Sequence, residues 1–232
     1  MRFTDDDLHL LGASQASVFD YVAGRFARLG FSFCSYGIRL PVPLAQPRIL
    51  IQDSYPEAWM KRFDSQHYLA VDPTIAHAAR SDDFVLWSPE LFRDAGNMWE
   101  DANAHGLNVG WAKPSRHNGT VGMLSLSREA DPLSPTEIAA HAADMAKMSE
   151  MLLVSSAPRQ VATEIPESRA LLSEREKEIL RWTADGKTSH EIGCILSLSV
   201  ATINFHINKA VAKLASVNKT QAVVKAALLG LL

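Results

Sequence analysis

The chain has 232 residues, 47% apolar and 21% charged, with a net charge of −3. That is the balance of a folded globular protein, so wholesale disorder is excluded, and the length suits one large domain or two modest ones. No apolar run reaches the ~18 residues of a membrane span, and no positively charged leader precedes one. A soluble cytoplasmic protein with no membrane partner is expected. Cys34 and Cys194 lie far apart without metal-type spacing and read as reduced thiols, so no metal site is expected.

The small net charge conceals an asymmetry. Up to Pro166 there are 14 Lys/Arg against 20 Asp/Glu, and after it 9 against 6, which gives −6 and +3. The divide falls in SSAPRQVATEIPES, residues 155–168, whose prolines and small polar residues have linker composition. An acidic larger domain (1–156), a linker (157–168) and a small basic domain (169–232) are expected. That pairing suits a sensor joined to a nucleic-acid reader.

In chain order, residues 13–29 read as a helix, and FSFCSYGIR and RILIQD read as strands. YPEAWMKRFDSQHYLAVDP then spaces Tyr55, Trp59 and Phe63 four residues apart, stacking three rings on one helical face. Such a stripe is most often plain core, yet Tyr and Trp need polar partners when buried. Asp72 before Pro73 also has a plain use, as an N-cap with proline at the first helical position. LNVGWAKP and TVGMLSLSR are two further strands, and 134–154 a helix. Helices around strands without regular βαβ alternation predict an antiparallel sheet flanked by helices. There is no Gly-rich phosphate loop and no acidic cluster of the phospho-acceptor kind.

The basic end reads as four helices. Ser173 with Glu176 and Thr188 with Glu191 are S/T-x-x-E capping boxes, Ser199 is a strong N-cap, and a last helix follows Asn218. Two short capped helices flanked by two more make a helix-turn-helix domain. Thr202, Asn204, Phe205, Asn208, Lys209 and Lys213 lie on the outward face of the third helix. Asn and Lys suit base edges or phosphate, and an exposed Phe suits a thymine methyl. Lys187 and Thr188 suit phosphate at a helix start. The plainer alternative is a small bundle with a solvated polar face.

GKT at 186–188 and TINFHINKAVAKL at 202–214, with Glu176 and Leu180, resemble the C-terminal domain of LuxR-family regulators; Ala201 stands where many members carry a charge. Tyr55, Trp59, Asp72-Pro73, Trp87 and Gly110, with LWSPELF, GLNVG and GMLSLS, are similar to the ligand domain of the family's N-acyl-homoserine lactone receptors. The resemblance implies an α+β protein: an N-terminal α/β/α sandwich with an antiparallel sheet, and an all-α helix-turn-helix domain. It also implies a lactone as signal ligand with no cofactor, and a homodimer on palindromic promoter DNA. Helices 134–154 and 218–231 are candidates for dimer contacts, and RNA polymerase is a further candidate partner.

For such a ligand, Trp59 can donate to the ring carbonyl and Asp72 can accept the amide N–H. Tyr55, Ser125 and Thr74 can supply hydroxyls, while Ile75, Trp87, Phe92, Trp99, Trp111 and Met123 can line the ring and tail pocket. Phe63 stands where the family often has Tyr, so only its apolar wall is expected here. An enzyme is disfavoured, because the chain has no H-x-x-x-H pair and no G-x-S-x-G elbow. A relative of the same fold that answers another small molecule, or none, remains the rival reading.

Overall fold

The computed structural model describes residues 15–232, so the first two positions of the expected helix 13–29 lie outside the described residues. The chain divides into two compact units: Arg48–Ala157 with the segment ending at Leu40, and Pro158–Leu232 with Pro41–Pro47.

In the first unit, α1 (Gln15–Ala27) leads into β1 (Phe33–Arg39) and β2 (Ile49–Asp53). Helices α2 (Glu57–Ser65), α3 (Pro73–Ala78) and α4 (Gly96–Ala104) follow, with the short β3 (Val85–Leu86) between the last two. Strands β4 (Val109–His117) and β5 (Thr120–Arg128) complete a five-stranded antiparallel sheet in the order β2-β1-β5-β4-β3. The β4–β5 turn is Asn118-Gly119, both at positive φ (45° and 73°), as a two-residue hairpin of matched twist requires.

Helix α5 (Pro135–Glu164) packs against the opposite face of the sheet from the one bearing α3. The Ser149 hydroxyl donates to the Lys113 carbonyl of β4 at 2.8 Å. A bidentate Arg25–Asp144 pair at 2.6 and 2.8 Å ties α1 to α5. Period-two alternation sends Cys34, Tyr36, Ile38, Leu124 and Leu126 to this face, all of them buried. Residues 157–164, expected as linker, continue α5, with Pro158 inside the helix. Proline's fixed φ is compatible with a helix, and the Ser155 and Ser156 hydroxyls both turn back onto the Leu152 carbonyl.

The second unit contains α6 (Glu174–Ala184), α7 (Ser189–Leu196), α8 (Val200–Lys213) and α9 (Lys219–Leu228). Both capping boxes form as the spacing predicts, and Ser199 and Asn218 cap α8 and α9. The tight α7–α8 turn needs Gly193, because a Cβ there would lie 2.7 Å from the Leu198 carbonyl oxygen. Two small cores result. Ile179, Ile192, Ile203 and Ile207 fill one, and Leu172, Leu180, Ala210, Leu214, Ala222 and Ala226 fill the other. Glu176 is buried at 3% exposure, and its Oε2 takes two bonds. It accepts from the Ser173 amide at 2.8 Å and from Lys213 at 2.7 Å, which joins α6 to α8.

Candidate ligand cavity and nucleic-acid face

Between the sheet and helices α2, α3 and α4 lies a cavity whose empty space, counting the part open to solvent, is about 890 Å³. Ten of the predicted residues line it: Tyr55, Trp59, Phe63, Asp72, Thr74, Ile75, Trp87, Phe92, Met123 and Ser125. The four-residue stripe of α2 therefore serves as core and wall at once. Trp59 packs edge-on against Phe63 (5.7 Å) and stacks on Tyr68 (6.0 Å), while its unit's aromatic cluster continues through Phe92.

The hydroxyl groups and the Asp72 carboxyl gather toward one end. Ser35 and Ser125 are cross-strand partners on β1 and β5, and both are cavity residues. The Tyr55 hydroxyl lies beside Ser127 and feels the negative charge of Asp72, and burial pushes its pKa well above the ordinary phenol range. Asp72 caps α3: its Oδ1 accepts from the Thr74 amide at 2.8 Å and the Thr74 hydroxyl at 2.6 Å. Burial raises the Asp72 pKa, and the Thr74 bonds only partly oppose that. The capping role is thus real, and it orients a carboxyl group that also borders the cavity.

Trp99 and Trp111 are not in the cavity wall. On α4 the cavity residues are Met98 and Ala102, one turn apart; Trp99, a third of a turn round, stacks on Phe92 from behind at 4.9 Å. On β4, Trp111 pairs with Leu126 on the α5 face, is wholly buried and packs on Phe84 at 5.1 Å. In each case the side chain faces away from the cavity. Sequence reasoning missed Ser35, Gly37 and Arg39 of β1, Ile49 and Ile51 of β2, and Val121 of β5. Their shared odd numbering was the available signal, since alternate strand residues share a face.

Gly110 has a steric reason. A Cβ at that position would sit 1.9 Å from Trp87 Cδ2, so the indole occupies the space that only glycine leaves open.

In the second unit, α8 exposes Asn204, Phe205, Asn208 and Lys209. Phe205 is 53% exposed, with the Lys209 ammonium 4.5 Å from its ring centre. The Asn204 Oδ1 accepts from the Ser189 hydroxyl of α7 at 2.8 Å, and its N–H groups make no hydrogen bond among the described residues. Thr188 and Thr202 are engaged in caps: Thr188 Oγ1 donates to Glu191 at 2.8 Å, and Thr202 Oγ1 lies 2.8 Å from Ser199 Oγ. Lys187 sits just before the α7 cap. Lys213, placed by periodicity on the outward face, instead holds Glu176 and the Leu171 carbonyl (2.9 Å). Its role is structural.

A mostly apolar cavity with hydroxyl groups and a carboxyl toward one end, in a chain that also carries a helix-turn-helix, defines a small-molecule-responsive transcription regulator. Residues 14–154 match the family described as Autoinducer binding domain, and residues 170–226 match Bacterial regulatory proteins, luxR family. The chain belongs to the LuxR family of quorum-sensing transcription regulators, which are not enzymes.

It is 40% identical to the transcriptional activator protein SolR of Ralstonia nicotianae, over 94% of this chain and 93% of that protein. Regulatory protein SdiA of Escherichia coli is 36% identical, over 88% and 85%. The structure of SdiA in complex with octanoyl-rac-glycerol matches with a TM-score of 0.83 at 33% identity, covering all of this chain and 98% of that one. The N-acylhomoserine lactone-dependent LuxR-family factor CepR2 of Burkholderia cenocepacia matches with a TM-score of 0.61 at 29% identity, covering 67% and 93%. No single described helix is long and apolar enough to cross a membrane.

Proposed function

We propose that the cavity binds an N-acyl-homoserine lactone and that the occupied protein, as a homodimer, reads a palindromic promoter element. The observation that carries this is the grouping of Trp59, Asp72, Tyr55 and Ser125 around a mostly apolar cavity. The indole N–H of Trp59 donates to the ring carbonyl. Asp72 accepts the amide N–H, and a hydroxyl of Tyr55 or Ser125 donates to the acyl carbonyl. Thr74 fixes the Asp72 carboxylate through its two bonds to Oδ1. Phe63, Ile75, Trp87, Phe92 and Met123 enclose the ring and tail.

A ligand that binds only the folded state stabilises it by about 2.7 kcal/mol at a hundredfold excess over Kd, so occupancy favours the folded sensor. In the dimer, residues 134–154, all but the first of them in α5, and helix α9 form the contacts between copies. Two α8 helices enter successive major grooves about one helical turn apart. Asn204, Phe205, Asn208 and Lys209 meet base edges and backbone, while Lys187, Thr188 and Thr202 position the motif on phosphate. The regulator works in the cytoplasm, with RNA polymerase as a further partner and no cofactor.

A second reading is supported by the acyl glycerol held by SdiA: the same polar cluster would take a glycerol head in place of the lactone. Thermal melting of the full chain with acyl-homoserine lactones of graded tail length, beside octanoyl glycerol, tests both. A lactone should raise the melting temperature in a dose-dependent way. A response to the glycerol ester alone would transfer the assignment to the second reading, and silence to every compound would end both.

A further inference from the structure

The cavity has a direction. Its hydroxyl groups and the Asp72 carboxyl lie toward the Ser35/Ser125 end of β1 and β5, and along the same face these strands run on through Gly37 and Met123 to Arg39 and Val121. Helix α3 follows the same course, from Asp72 at its start to Ala78 at its end; Ala78 is tied to the far end by the Arg116 guanidinium, which donates to its carbonyl at 2.5 Å. Ser35 to Arg39 is four strand residues, roughly 13 Å. A ligand whose head meets Asp72 must therefore lay its tail toward Arg39.

Two arginines stand at that far end, in different states. Arg116, across from Val121, is neutralised by Asp82 at 2.6 Å and engages the Ala78 carbonyl. Arg39 is half-buried, borders the cavity between the apolar Ile49 and Val121, and has no hydrogen bond or ion pair among the described residues. A guanidinium always carries its charge and presents a planar fork of donors. An alkyl chain pressed against it would strip its water and return no hydrogen bond, which is unfavourable. An oxygen acceptor there would be held by a charge-assisted bond.

We infer that Arg39 is the specificity-determining residue for the ligand tail: it disfavours alkyl tails long enough to reach it and admits a long tail when the far end carries an oxygen acceptor. A fully extended alkyl chain advances about 1.25 Å per bond, so about ten bonds cover the span, and fewer once the arginine leans inward. Hexanoyl tails stop short, and dodecanoyl tails arrive. This rests on the head-group assignment made above, but adds a selectivity that the head group does not supply.

The test measures dissociation constants of the full chain for hexanoyl-, dodecanoyl- and ω-carboxydodecanoyl-homoserine lactone. Arg39→Met keeps an apolar stem of similar reach and removes the charge, whereas Arg39→Lys keeps the charge. In Arg39→Met the affinity for the dodecanoyl compound relative to hexanoyl should rise at least about tenfold, and that for the ω-carboxylate should fall by a similar factor. Arg39→Lys should leave both ratios near wild type. Ratios in Arg39→Met within about twofold of wild type would overturn the assignment. So would a wild-type protein that prefers the alkyl compound to the ω-carboxylate by more than about tenfold, a comparison that needs no variant. If the wild type bound no lactone at all, the head-group reading would fail and this inference with it; a changed tail profile alone touches only Arg39.

Discussion

Gly110→Ala is the sharpest probe of how the cavity wall is built. The added methyl would sit 1.9, 2.2 and 2.4 Å from Trp87 Cδ2, Cε3 and Cε2, where unstrained carbon contacts need about 3.5–4.0 Å. The strands cannot simply part, because the Trp87 amide donates to the Gly110 carbonyl at 2.9 Å and β3 pairs with β4 through Val85 and Leu86. The indole must swing instead, giving up its edge-on contact with Phe92 at 6.0 Å. Overpacking of this kind costs about 1–3 kcal/mol, and a ring with no flexible end to yield places it at the upper end.

Urea unfolding followed by tryptophan fluorescence reads this directly, since four of the five tryptophans lie between residues 59 and 111. With a slope of roughly 1–3 kcal/mol per molar urea, the midpoint should fall by about 1 M. Trp87→Leu removes the ring that the methyl strikes. The double variant should therefore lose less than the sum of the singles, by about 1–3 kcal/mol. A Gly110→Ala protein as stable as wild type, or strictly additive losses, would refute the steric account.

Asp72→Asn should weaken lactone binding by about 1.5–3 kcal/mol while preserving the α3 cap, since Asn caps about as well as Asp. Burial raises the Asp72 pKa, so its favourable contribution belongs to the protonated form, is present below the ordinary aspartate range and is lost as pH rises through the raised value. At neutral pH the ligand-free variant should melt no lower than wild type; a clearly lower melting temperature contradicts this. Glu176 is desolvated, yet its bonds from Lys213 and Ser173 hold its pKa below the ordinary value, so its stabilisation is present at neutral pH and lost as pH falls through that lowered value. Glu176→Gln should flatten the acid side of the stability profile of residues 158–232, with a neutral-pH loss of only about 1 kcal/mol because Lys213 is 39% exposed. On DNA, Asn208→Ala should cost roughly 1–3 kcal/mol on the preferred half-site and relax one base position, whereas Lys187→Ala should weaken matched and scrambled sites alike and shrink the salt slope. Binding to a substituted palindrome series at several salt concentrations separates them, and an unchanged base preference in Asn208→Ala would remove its reading role.

What the sequence determined by itself is what depends on neighbours three or four residues apart. The Ser173–Glu176 and Thr188–Glu191 boxes, the Ser199 cap, the Asp72-Pro73 helix start and the α2 stripe are closed within one helical turn, so their chemistry can be read along the chain. Facing and long-range pairing could not be read that way. Trp111 and Ala112 are neighbours in sequence, but the register with Ser125 and Leu126 turns the alanine toward the cavity side and the tryptophan away from it. Met98 displaced Trp99 from the wall because the helix rotates by a third of a turn between them. Lys213 shares the helical period of the exposed face, yet a buried carboxylate 37 residues earlier captures its charge. Strand alternation puts Arg39 on the face of Ser35 and Gly37, but nothing local shows that this face borders a cavity. Arg39 becomes a cavity residue only because β1 lies between β2 and β5, which sets it between Ile49 and Val121, and strand order is a property of contacts between distant segments.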